Sequence, residues 1–311
     1  MKNSKIWGFL ARFTVVYGIV YTLVGVAFVS LQNALPASGR VALDFFQPYN
    51  VDLRGILAQI IVGLIVALVL YPFYDIIVKD KLGWRNLFAA LWGVAILGSL
   101  EPRPGAIEGM LYTEITFLEH ALVLGAGAVQ MLIFALLFLA WERLSAGLTK
   151  RDISGHVEVY PQEKRDAKTI RGYMGRFTLI HVIIYMIVGI IFYEISGYQE
   201  ALETMEYFQL WRDLENIFMP FLILGGQILR GGILALLLYP FYRVFIQDKG
   251  GWLKLFGLLL GLKVLFISVS IPATYGELIQ QLQDSVMGLP EIIVQTLLFA
   301  CLFFVWERRR V

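Results

Sequence analysis

YPFYDIIVKDKLGW at residues 71–84 returns, altered but recognisable, as YPFYRVFIQDKGGW at residues 239–252. Tyr71, Pro72, Phe73 and Tyr74 recur as Tyr239, Pro240, Phe241 and Tyr242. Asp80, Lys81, Gly83 and Trp84 recur as Asp248, Lys249, Gly251 and Trp252. An apolar run stands on either side of each copy. Self-similarity at a fixed spacing marks a repeated structural unit, so the spacing predicts one membrane unit used twice.

The likeness extends outward from that phrase. Arg12, Phe13, Thr14, Tyr17, Tyr21, Gly25 and Phe28 match Arg176, Phe177, Thr178, His181, Tyr185, Gly189 and Phe192 at one constant offset. Gln59 matches Gln227, and Gln130 matches Gln295. Trp141, Glu142 and Arg143 match Trp306, Glu307 and Arg308.

Of the 311 residues, 58% are hydrophobic and 16% charged, far more apolar than a soluble domain needs. Several apolar runs reach about 20 residues, enough to cross a roughly 30 Å hydrocarbon layer. The pattern predicts eight spans, near residues 8–31, 55–78, 86–100, 117–141, 174–196, 220–242, 252–271 and 286–306. The first run is longer than a signal-peptide core and lacks a clear cleavage site, so it is expected to remain as a span. The expected fold is an all-α polytopic membrane bundle. Residues 1–143 form one four-span repeat, 144–171 a hydrophilic linker, and 172–311 a second four-span repeat. EPRPGAIEG at 101–109 reads as an outer loop, because two prolines and two glycines break helix and strand alike. The stretches 200–218 and 277–286 carry apolar residues at helical spacing and read as amphipathic surface helices.

Basic residues gather on one side. With the N-terminus inside, the inner segments hold Lys2, Lys5, Arg12, Lys79, Lys81, Arg85, the linker's basic residues, Arg243, Lys249, Lys254, Arg308, Arg309 and Arg310. The outer segments hold only Arg40, Arg54, Arg103 and Arg212. The positive-inside rule then predicts a multi-pass plasma-membrane protein with both termini cytoplasmic. An even number of spans per unit makes the repeats parallel, related by an axis along the membrane normal.

The candidate site residues are the polar groups stranded inside apolar runs. Arg230 lies mid-run in QILRGGIL, where a charge costs at least ~2.5–3.5 kcal/mol and must face protein or water. Its counterpart is Val62, so the fold does not require the charge. Lys263 stands at mid-depth of the seventh run, opposite Ala95. Glu291 is the best internal partner in sequence terms, and pairing it with one cation leaves the other open for an anionic guest. Gln227 and its twin Gln59 could hydrogen-bond that guest or simply tie spans together. His181 stands where the first half has Tyr17, and both join the candidate set. The YPFY phrase reads as a structural corner with interfacial aromatics.

Three functions follow in order. The first is a carrier or binding protein for a small anion or an anionic lipid headgroup, held at the interface of the repeats. The second is a non-catalytic membrane scaffold or accessory subunit, meeting a protein partner through 144–171 or 200–218. The third, an intramembrane lipid-modifying enzyme, rests only on Glu101, Glu119 and His120. No cofactor is expected. One cysteine and three scattered histidines give no metal-ligand spacing. There is no Walker loop, GxSxG or dinucleotide fingerprint. The linker is basic but short and poor in aromatics, so no nucleic-acid partner is expected. Membrane lipids are the partners implied by composition.

Overall fold

The computed structural model describes residues 2–36, 53–99, 102–149, 152–153, 167–198, 200, 202, 211–214, 216–264 and 274–310; the side chains of 2–4, 167, 263–264 and 275–287 lie outside that description. Every regular element among these residues is helical, the solution that satisfies backbone groups where water is absent. Helix α1 is Lys2–Ala34, α2 Leu53–Leu70 and α3 Gly83–Phe88, which continues as a π-helix over Ala89–Leu97. Helix α4 is Ile107–Tyr112, α5 Phe117–Ser145, α6 Ala167–Ile195 and α7 Met219–Leu238. Helix α8 is Tyr242–Gln247, α9 Gly251–Val264 and α10 Tyr275–Arg308.

Among the described residues, six stretches are long and apolar enough to cross a membrane: Lys5–Ala34, Leu53–Phe73, Phe117–Ser145, Lys168–Ile195, Met219–Gln247 and Gly288–Arg308. The molecule is a helical membrane bundle. The third and seventh expected spans are shorter as described. The run through α3 and its π-helix ends at Gly98 after about 20 Å of rise, less than the roughly 30 Å of hydrocarbon. Helix α9 is apolar over Gly251–Leu262, and residues 265–271 of the seventh expected span lie outside the described set.

Two loop expectations need correction. The stretch 277–286 is no separate surface helix, since α10 runs unbroken from Tyr275 through Pro290 to Arg308. The segment 101–109 is irregular only as far as Ala106. From Ile107 it coils into α4, whose residues Ile107, Glu108, Leu111 and Tyr112 are buried. Of 200–218, most lies outside the described residues. Its described part includes an extended bridge from Trp211 to Thr113, with Arg212 N donating to Tyr112 O at 2.8 Å.

The YPFY phrase forms a tight corner in both places. Pro72 and Pro240 each enter a single 3-10 turn, at Tyr71–Phe73 and Tyr239–Phe241, where a missing N–H costs nothing. The chain then goes extended at Asp80 and Asp248 and re-enters a helix at Gly83 and Gly251. A Cβ on Gly83 would stand 1.8 Å from Ile77 O, and one on Gly251 1.6 Å from Phe245 O. Glycine is therefore required by close approach. Lys254 and the Gly250 N–H both contact the Asp248 carboxylate and hold it below the usual carboxylate range.

Above each corner sits the same aromatic cage. Phe13 meets Phe134 at 4.8 Å and Phe138 at 4.9 Å, while Phe177 meets Phe299 at 4.6 Å and Phe303 at 5.2 Å. Such edge contacts add about 0.5–1.5 kcal/mol each beyond area. Between the halves, Phe73 lies edge-on to Phe241 at 5.4 Å. A Cβ on Gly93 would stand 2.5 Å from Leu237 Cδ1, and one on Gly261 2.4 Å from Val69 Cγ2. Small residues thus let the inner helices approach closely.

Candidate functional site

Arg230 is fully buried on α7, and it is not unpartnered. Its Nη1 donates to Glu108 Oε1 on α4, forming an ion pair shielded from solvent. Its Nη2 donates to Gly98 O at 2.9 Å and Ser99 O at 3.2 Å. Both residues are buried where the π-helix ends. Of the two cations for which Glu291 was the expected partner, Arg230 is held by Glu108 instead, and the Lys263 side chain lies outside the described residues. The acid comes from the segment read as an outer loop, because Pro102, Pro104 and Gly105 turn the chain back toward the bundle. Gly105 has φ +85, and a Cβ on Gly109 would stand 2.0 Å from Arg103 O. That fold aims Glu108 inward.

The pair belongs to a wider network. Gln227, one turn before Arg230, donates from Nε2 to Glu108 Oε1 at 3.1 Å. Its Oε1 lies 3.2 Å from His181 Nε2, and since a carbonyl oxygen only accepts, that histidine nitrogen carries the proton. Tyr185, one turn beyond His181 on α6, donates to Glu108 Oε2 at 3.3 Å. Tyr112 lies 2.7 Å from Tyr185 and must donate to it, because the Tyr185 proton is already engaged. Arg230 Nε, also buried, has no hydrogen-bond partner among the described residues. A cavity of about 20 Å³ adjoins the network, lined in part by His181, Tyr185, Gln295 and Thr296. That is room for one water molecule.

The other expected site residues fall elsewhere. Glu291 accepts from Tyr198 at 2.9 Å and from Gln295 at 2.7 Å, so it reaches the cavity wall through Gln295. Burial, with the nearby Glu291 charge, pushes the Tyr198 phenol up and keeps it a donor. Tyr17 is buried on α1 and packs beside Gly63; Gln59 is half-buried on α2. Among the described residues neither hydrogen-bonds to the Arg230 network. The Lys263 side chain lies outside the described residues. The groups suggested for an enzyme have local partners: Glu119 closes a capping box with Thr116, and His120 Nδ1 accepts from Gly105 N at 3.0 Å. Glu101 is outside the described set.

Two constellations were visible only as separate motifs. Arg12 Nε donates to Glu142 Oε2 at 2.6 Å, and Tyr74 donates to Glu142 Oε1 at 3.1 Å. In the second half Arg176 pairs with Glu307, and Tyr242 donates to Glu307 Oε2 at 2.7 Å. Both glutamates are about 1% exposed. The repeated RFT, YPFY and WER motifs each supply one member of this triad. Their joint recurrence was the available signal. No comparable signal marked Glu108: the matching stretch of the second half keeps an acid, Glu277, but not the surrounding EPRPGAIEG pattern.

Comparisons of the chain with protein-family models, curated proteins and solved structures return no match. Function is therefore argued from the site alone.

Proposed function

We propose that the protein binds, and carries across the membrane, a small anion at the Arg230 network. We place it in an eight-span molecule of two parallel four-span repeats, with both termini cytoplasmic in the plasma membrane. The reciprocal seating of Leu237 on Gly93 and Val69 on Gly261 supports the repeat reading, since an isologous contact repeats each pairing in reverse.

One internal comparison carries the functional reading. A Cβ on Gly231 would stand 3.1 Å from both Thr178 Cα and His181 Cδ2; one on Gly63 would stand 3.3 Å from Thr14 Cα and 3.1 Å from Tyr17 Cδ1. The same helix crossing is thus made twice. The first half makes it with Val62 and Tyr17, the second with Arg230 and His181. Packing does not need the charge, and a buried ion pair is a poor stability device, since apolar replacements are often neutral or better. Intramembrane ionisable clusters instead mark ion and substrate paths. On this reading a guest's oxygens take the place of the Glu108 carboxylate on Arg230. Gln227 hydrogen-bonds the guest, Lys263 is a second cation, and Glu291 a counter-ion reached through Gln295. Gln59 and Tyr17 enter only as uncharged counterparts.

The test is anion rescue. Glu108→Gln should destabilise the protein by leaving Arg230 unpaired, and acetate, which presents the same carboxylate, should restore it. At a hundredfold excess over its dissociation constant the recovery is about 2.7 kcal/mol. Arg230→Gln should abolish the response. A Glu108→Gln protein that is weakened but indifferent to acetate ends the carrier reading.

That outcome would favour the second reading, a membrane scaffold or accessory subunit. One observation supports it: Arg230 Nη1 and Nη2 are held by protein oxygens, and the adjoining cavity is only about 20 Å³. The pair would then be a clasp holding α4 down, and a partner would crosslink to 144–171 or 200–218.

A further inference from the structure

A groove of about 570 Å³ runs between α6 and α10, lined by Ile180, Ile183, Ile184, Leu302, Val305, Trp306, Arg309 and Arg310. Ile183, Leu302 and Val305 are among its exposed residues, on two helices long and apolar enough to cross a membrane. Hydrocarbon chains therefore cover this face. At one end the lining changes to Trp306 and two arginines. Neither Arg309 nor Arg310 forms an ion pair among the described residues. The nearest acid in sequence, Glu307, is already taken by Arg176 and Tyr242. Arg308 turns away and lies over the Phe304 ring at 5.3 Å.

The first half supplies an internal control. The positions that correspond to Arg309 and Arg310 are Leu144 and Ser145, after the matching Trp141, Glu142 and Arg143. Arg143 is spent on the corner, donating to Val78 O at 2.9 Å and Asp80 O at 2.6 Å. So α1 and α5 repeat the helix pair without the two terminal arginines.

We infer that the α6/α10 groove binds one anionic phospholipid, its phosphodiester on Arg309 and Arg310 and an acyl chain along Ile183, Leu302 and Val305. An interfacial tryptophan beside basic residues at the end of an apolar channel suits a headgroup at the membrane surface. A free phosphate would use the arginines but leave the apolar length of the groove unused. This site is separate from the Arg230 network and does not depend on the function assigned there.

The experiment uses the full chain in nanodiscs of phosphatidylcholine with a minor share of phosphatidylglycerol, followed by mild extraction and native mass spectrometry. Wild type should retain phosphatidylglycerol in preference to phosphatidylcholine. Arg309→Gln with Arg310→Gln should lose that preference by about tenfold, with thermal unfolding unchanged because both side chains are exposed. Leu302→Trp, which fills the groove and keeps the arginines, should also expel the lipid. Equal retention by the double variant would overturn the inference. So would displacement of the lipid by soluble glycerol phosphate, which would identify a site for free anions.

Discussion

Glu108 and Arg230 are separated by 122 positions, yet each is the other's principal charge partner. A buried charge stripped of its partner is among the costliest single changes, about 3–5 kcal/mol. Arg230→Met alone should therefore destabilise by that order, through the carboxylate it strands. Glu108→Leu alone should do the same through the guanidinium. The double variant should recover to within about 1–2 kcal/mol of wild type, because Val62 shows that the equivalent helix crossing packs around an apolar residue. Reversible unfolding of the four proteins closes the cycle. Additive losses would mean the two residues do not act as a pair.

At the scale of elements, the corners decide how each half is built. Gly83→Ala and Gly251→Ala place a methyl against a backbone carbonyl that cannot rotate away. The expected loss is at the upper end of the roughly 1–3 kcal/mol seen for overpacking, read by thermal unfolding. Gly257→Ala, where an added Cβ meets nothing within 4 Å, should be close to neutral and serves as the control. These corners were legible in the sequence, since a repeated Pro, Asp and Gly at fixed spacing admits few local structures. The corner triads were half legible: Arg12, Tyr74 and Glu142 were each marked by recurrence, but nothing in a linear string joins positions that far apart. Helix α4 was hidden by its prolines. They stop at Pro104, and the run IEGMLY after them is long enough to coil. By sequence Glu108 therefore reads as a loop residue, and Glu291 as the acid nearest to the two cations.

For the whole molecule, the span count turns on α3 with its π extension. Thirty-ångström hydrocarbon exceeds its rise, yet a protein can thin the bilayer locally around a short element at modest cost. The run climbs from the corner to the level of Arg230, midway along α7. Gly83 sits at the corner where Phe73 meets Phe241, while Gly98 lies against Arg230 and leads to α4. A run that packs against α5, α7 and α9 along that length has most of its surface against protein rather than lipid, so a crossing needs no long lipid-facing stretch. The expectation is that it crosses. Single cysteines at Lys81 and Lys249, in a protein with Cys301 replaced by Ser, should react with an impermeant thiol reagent only from the cytoplasmic side. Cysteines at Glu114 and Ile217 should react only from the other. If position 114 labels from the same side as position 81, the third span does not exist. The first unit would then have an odd number of spans, and the parallel arrangement proposed for the two repeats would fall with it.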